Sequence, residues 1–191
     1  MASDRSTPIS AATELVPGYT VRPLATTDAV ALTMAYARNR EHLTPWEPRR
    51  SPEFFSEPAQ RADIEAKLAA AAAGQQDPWV IWHGDEVVGR LNLTNIARGV
   101  FQNASLGYWV DHRHTGRGVA SAAVRFSVAR ATDLGVHRLE AATLTHNEPS
   151  QVVLRRCGFA EFGRAPQYLL IAGAWQDHVL FQRILHTHVA T

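Results

Sequence analysis

The sequence predicts a mixed α/β domain, α+β in class, with a mostly antiparallel sheet of six to seven strands flanked by helices. Three observations carry this. Short apolar runs with period-two alternation recur along the chain, from 19–24 (YTVRPL) to 174–185. Two of the connections between such runs are tight, at Gly84-Asp85 and at Ala172-Gly173, and these make antiparallel hairpins. Helical patterns are inserted among the strands without regular strand–helix–strand alternation, which argues against a purely parallel sheet.

Taken in order, residues 1–17 form a flexible lead-in rich in Ser, Thr and Ala, and 18–188 a single domain. Residues 19–24 are the first strand. Thr26 or Thr27 with Asp28 caps a helix that runs to about Arg40. Pro45, Pro48 and Pro52 then forbid a regular helix or a central strand. A second, Ala-rich helix spans 59–73 and ends at Gly74. Residues 79–83 and 86–96 form a hairpin, and 104–111 a further strand. An Ala-rich, Pro-free helix pattern starts at Val119. Residues 137–144 are a strand, 148–156 a short helix stopped by Gly158, and 159–170 and 174–185 the closing hairpin.

Composition narrows the function. The chain has 191 residues, 46% hydrophobic and 19% charged, as an ordinary globular domain does. A net charge of +1 without a basic run gives no reason to expect nucleic acid as a partner. No apolar stretch reaches the roughly 18 residues of a membrane span. The N-terminus lacks the basic start and apolar run of a secretory signal. A single cysteine permits no intrachain disulfide. A cytoplasmic location is the expectation.

The segment 106–120, LGYWVDHRHTGRGVA, carries the chemistry. A strand runs into a loop with glycines two apart, Gly116 and Gly118, and then into a helix. The first N–H groups of a helix have no intrahelical partner, and the helix dipole adds about half a positive charge. Glycine lets backbone approach a ligand. The expected guest is a phosphate or pyrophosphate, the alternative a tight turn that only packs helix on sheet. The loop is not a Walker loop, which needs GxxxxGK followed by Ser or Thr. Nor is it the dinucleotide fingerprint, because Ser121 stands at the third glycine position.

Arg113-x-x-Gly116-x-Gly118 resembles the acetyl-CoA loop of the GCN5-related N-acetyltransferases (GNAT). Three further segments agree in order: 39–48 (NREHLTPWEP), 147–159 (NEPSQVVLRRCGF) and 168–179 (YLLIAGAWQDHV). Together they cover about 19–185 and are similar to the RimJ/RimL branch of ribosomal-protein N-acetyltransferases. The resemblance implies the GNAT fold with splayed central strands. It implies that the main chain of Arg113, His114, Thr115, Gly116, Arg117, Gly118, Val119 and Ala120 binds the pyrophosphate of acetyl-CoA. Tyr108, Trp109 and Val110 would offer backbone to the pantetheine and polarise the thioester carbonyl. Asn147 would meet a pantetheine amide, or cap the short helix. Ser150 would assist the leaving thiolate, its bland alternative being another cap.

The general base is the open position. Some RimL-like relatives carry Glu just before Gly-Tyr-Trp, where this chain has Ser105. Glu47 is the candidate, with Glu140, Asp177 and His178 in reserve. Trp46, Glu47, Tyr168 and Asp177 are expected to face the acceptor, where the 39–58 segment meets the closing hairpin. Nine histidines include no set with metal-site spacing, so no metal is expected. Cys157 reads as a small core residue. The implied activity is acetyl transfer from acetyl-CoA to a primary amine, foremost a protein N-terminus. The alternatives are a small amine, as in resistance or detoxification, and a CoA-binding regulator without turnover. Monomer and homodimer are both open.

Overall fold

The computed structural model describes residues 12–186. Eight strands form one sheet in the order β1-β2-β3-β4-β5-β6-β8-β7. They are β1 (Thr13–Val16), β2 (Tyr19–Pro23), β3 (Asp77–His83), β4 (Glu86–Thr94), β5 (Asn103–Val110), β6 (Arg138–Leu144), β7 (Ala160–Ile171) and β8 (Ala174–Ile184). The helices are α1 (Ala29–Arg38), α2 (Arg40–Leu43), α3 (Glu57–Ala72), α4 (Val119–Asp133) and α5 (Glu148–Arg156).

The eighth strand corrects the expected six to seven. Thr13–Val16 falls inside the segment read as a flexible lead-in, yet it pairs antiparallel with β2. The turn between them places Gly18 at φ +80°, a conformation that favours glycine. The rest of that lead-in, 1–11, lies outside the described residues, as does 187–191. The first helix also stops short of Arg40. Asn39 leaves helical geometry (φ −101°, ψ 11°), and its side-chain amide donates to Ala35 O at 2.9 Å.

Strand alternation divides the core between two faces. Val80 packs with Leu32 of α1 and Ile64 of α3. Its neighbours Trp79 and Ile81 pack on the opposite face with Val119 and Ala123 of α4. A third cluster joins α4 and α5 to the far half of the sheet through Val124, Leu154, Leu139 and Phe181.

One pairing is incomplete. β5 and β6 are the parallel neighbours, and their register covers only Asn103↔Arg138, Ala104↔Leu139 and Ser105↔Glu140. Beyond that rung β5 stays on β4 as far as Val110, and β6 stays on β8 as far as Leu144. The two central strands therefore diverge, and residues 106–110 of β5 have one edge without a strand beside it.

Asp111 fixes the free end of β5. It is fully buried. Arg38 of α1 donates from Nε to its Oδ2 at 2.6 Å and from Nη2 to Val87 O of β4 at 2.7 Å. The Arg113 N–H donates to Oδ1 at 2.9 Å. Burial alone would raise the Asp111 pKa, but hydrogen bonds from Asn39, Arg113 and Arg38 outweigh it and hold the carboxyl well below the usual carboxylate range. A depressed folded-state pKa stabilises fully above the unfolded value of about 3.9, and this contribution is lost as pH falls toward the folded value. Asp111→Asn should therefore cost about 3 kcal/mol near neutral pH. That is the low end for breaking a buried pair, because both arginines remain partly in water. Thermal denaturation across pH 7 to 3 should show the Tm gap to wild type narrowing below about pH 4.

Candidate active site

After β5 the chain makes one 3-10 turn, His112–His114, and enters the glycine loop. Gly116 and Gly118 hold φ of +74° and +80°. A Cβ at either would meet nothing within 4 Å, so backbone conformation, not space, requires glycine here. Gly118 caps α4, and the first intrahelical bond is Ala122 N–H to Gly118 O at 3.0 Å. The amides of Val119, Ala120 and Ser121 precede it at the positive end of the helix.

The loop side chains face the scaffold. The Arg113 guanidinium bonds Glu86 at 2.8 Å and Asp111 at 3.3 Å. His114 is buried with Nδ1 2.9 Å from the Tyr19 hydroxyl, to which Arg117 also donates at 3.4 Å. Thr115 Oγ1 donates to His112 O at 3.0 Å. The loop leaves its main-chain amides for an anion, with the exposed Arg117 beside them.

Beside the loop, between the free end of β5 and the start of α5, lies a cavity of about 490 Å³. Trp109 and Val110 of β5, Gly116 and Ala120 of the loop and helix, and Asn147 and Ser150 of α5 line it together with Trp46 and Glu47. Asn147 caps α5, accepting on Oδ1 from Ser150 N–H at 3.2 Å. The Tyr108 and Ser150 hydroxyls are hydrogen-bonded at 2.9 Å. Burial pushes the Tyr108 phenol up to about 12, so it keeps its proton at neutral pH.

The proline-rich segment closes one side. Glu47 O accepts from Ala172 N–H at 2.9 Å, and Arg49 donates to Ala172 O at 3.0 Å, so this segment is tied to the tip of the β7–β8 hairpin. The Trp46 ring lies 5.5 Å from that of His146. Burial raises the pKa of the Glu47 carboxyl against the lowering effect of Arg50, 3.3 Å away.

Tyr168 and Asp177 sit apart from that cavity. Tyr168 lines a neighbouring chamber of about 320 Å³ with Ser105, Gly107 and Glu140. Asp177 is exposed, and its carboxylate accepts from Gln167 N–H at 2.9 Å, where Gln167 has φ +47° in a bulge of β7. That bond gives Asp177 a local structural task, and it lines none of these cavities. His178 is buried with Nδ1 2.9 Å from Gln176 O, and with Trp46, Tyr108 and Ser150 it lines a recess between β5 and β6. Cys157 is buried with Sγ 3.4 Å from Ser121 O. Among the described residues no group of three or more His, Cys, Asp or Glu is placed to hold a metal ion, and no helix is long and apolar enough to cross a membrane.

A third chamber, of about 310 Å³, escaped the sequence reading. Tyr36, Asp63, Arg90 and Asn92 line it along with Glu47, on the α1–α3 face of β5. The available signal was Arg90 itself, a charged residue amid the buried positions of β4.

The family model described as an acetyltransferase (GNAT) domain matches residues 19–160. The chain belongs to the GNAT acetyltransferase family. The [ribosomal protein uS5]-alanine N-acetyltransferase of Escherichia coli is 34% identical over 163 residues, 80% of either chain. The structure of the ribosomal-protein-S5-alanine acetyltransferase from Vibrio fischeri superposes with a TM-score of 0.86 at 32% identity, covering 91% of this chain and 96% of that one. RimJ of Mycobacterium smegmatis, in complex with CoA-disulfide, gives 0.83 at 33% identity, covering 87% and 81%. The resemblance to the RimJ/RimL branch is thereby borne out, as is acetyl transfer with acetyl-CoA as donor. The free helix amides, the unpaired edge of β5 and the cavity between them suit a pyrophosphate followed by a slender amide-bearing arm.

Acetyl-CoA should raise the melting temperature of the wild type by mass action. Gly118→Glu should abolish that shift by placing a carboxylate beside the helix amides. Gly118→Asn, which tolerates positive φ better, should keep most of it. Equal shifts in wild type and Gly118→Glu would remove the loop from the donor site.

Proposed function

We propose that this GNAT enzyme acetylates the α-amine of a protein N-terminus, a ribosomal protein in the first instance. The observation that carries this is the open floor at Gly107. That residue lines both the 310 Å³ and the 320 Å³ chambers, and a Cβ there would meet nothing within 4 Å. Glu47 in turn lines both the 310 Å³ chamber and the 490 Å³ cavity. An acceptor with its amine at Glu47 therefore has room behind it for an extended chain. The acceptors named for the similar E. coli and V. fischeri enzymes, alanines of ribosomal protein uS5 (S5), support the same class.

Acetyl-CoA, when bound, supplies an activated acetyl thioester. The main chain from Arg113 to Ala120 holds its pyrophosphate, and the free edge of β5 from Tyr108 to Val110 orients its arm and polarises the carbonyl. An α-amine has a pKa of about 7.7 to 8.0, so part of it must be deprotonated before attack. Glu47 accepts that proton, directly or through water, and Trp46 supplies an apolar wall. The Tyr108 hydroxyl, which keeps its proton, donates a hydrogen bond to Ser150 Oγ, and this turns the Ser150 hydroxyl proton toward the departing sulfur.

Ser150→Ala should lower kcat about ten- to a thousandfold with little change in acetyl-CoA affinity. Equal losses in binding and stability, with turnover per bound complex intact, would make Ser150 a cap only. For Glu47 the sign follows from its raised pKa. Activity should fall as pH drops through a value above the ordinary glutamate range of about 4.3, because only the ionised form accepts a proton. Glu47→Gln should lower kcat and flatten that acid limb. An unchanged pH–rate profile would move the base elsewhere.

A further inference from the structure

Arg90 lies on β4 opposite Trp109 of β5, and only 2% of it is exposed. Nη1 donates to Asp63 at 3.2 Å and to the Tyr36 hydroxyl at 3.4 Å. Nε and Nη2 are buried without a partner among the described residues, and so is Oδ1 of Asn92, two positions along the same face. Buried polar groups are almost always satisfied, and an unmet donor on a charged group costs more than a neutral one. Nε and Nη2 share one edge of the guanidinium. That edge is the fork that grips a carboxylate with two parallel hydrogen bonds.

The surroundings favour the same guest. Arg90 and Asn92 both line the 310 Å³ chamber. Asn92 stands in register with Gly107, which leaves open space in front of it. Three cations, Arg50, Lys67 and Arg90, face two carboxylates, Glu47 and Asp63. Arg50 pairs with Glu47, while Lys67 and Arg90 share Asp63. One positive charge is left over among these five side chains.

We propose that Arg90 and Asn92 form a specificity site for a carboxylate carried on the residue directly behind the acceptor amine. Binding turns the buried Nε–Nη2 edge of Arg90 onto the carboxylate and brings Asn92 Oδ1 round to accept a peptide N–H. This rests on the reading of the acceptor as a peptide N-terminus and names a sequence preference within it.

The test compares kcat/KM for C-terminally amidated peptides that begin Ala-Glu or Ala-Gln and are otherwise identical. Free glutamate and glutamine serve as a second pair of acceptors. Wild type should prefer the Ala-Glu peptide by about tenfold or more, the effect of one charge-assisted pair. Arg90→Gln should bring the ratio to about one. The ratio is taken within each variant, so loss of folded enzyme cancels. Asn92→Asp, which is nearly isosteric and cancels the surplus positive charge of the chamber, should also lower it. Equal use of both peptides by wild type, or a preference that survives Arg90→Gln, would overturn the site and leave the N-terminal reading standing. Acetylation of free glutamate over glutamine with the same dependence on Arg90, and none of either peptide, would keep the site and overturn the peptide reading.

Discussion

The divergence of β5 from β6 is the constraint on which the rest of the molecule depends. A parallel pair that ran its full length would satisfy the backbone of 106–110 and leave no room for an arm between the strands. The chain prevents this by holding each strand from its other side, β5 on β4 and β6 on β8. Asp111 then pins the end of β5 to α1 and β4 through Arg38, and to the start of the loop through the Arg113 amide. The charge of that carboxylate is spent on the scaffold. Arg113 pairs with the same carboxylate and with Glu86, while Arg117 stays exposed on the glycine loop.

The same divergence brings the chemistry together. α5 begins just beyond the end of β6, with Asn147 as its cap, and so presents Ser150 to the side chain of Tyr108 across the opening. The apolar burial that keeps Tyr108 protonated is a product of this packing. On the other face the prolines of 45–52 hold Glu47 at the junction of two cavities, and two hydrogen bonds anchor the segment to the hairpin tip. Burial there raises the Glu47 pKa against the lowering effect of Arg50 and Arg90.

Local signals were legible because local rules govern them. The hairpin turns, the glycine loop and the cap at Asn147 are each written within a few residues. Thr13–Val16 was missed because four residues beside a Ser/Thr/Ala-rich stretch show too little alternation, although Pro17-Gly18 marks the turn that returns them to β2. Asp177 shows where local rules stop. A polar pair in a family-like motif suggests acceptor contact, but whether a carboxylate faces a cavity or braces a bulge depends on strand register. Tyr108–Ser150, 42 residues apart, and Arg90–Asp63, 27 apart, are products of tertiary packing alone. No periodicity reports such pairs.

Amide hydrogen exchange with and without acetyl-CoA tests the central claim most directly, because it reads backbone groups one segment at a time. If the free edge of β5 and the start of α4 hold the donor, protection should rise in 106–110, in 115–121 and at the start of α5. The β1–β3 strands should exchange as before. Protection confined to the α1–α3 face, or none along 106–110, would contradict a donor seated in the divergence of β5 and β6.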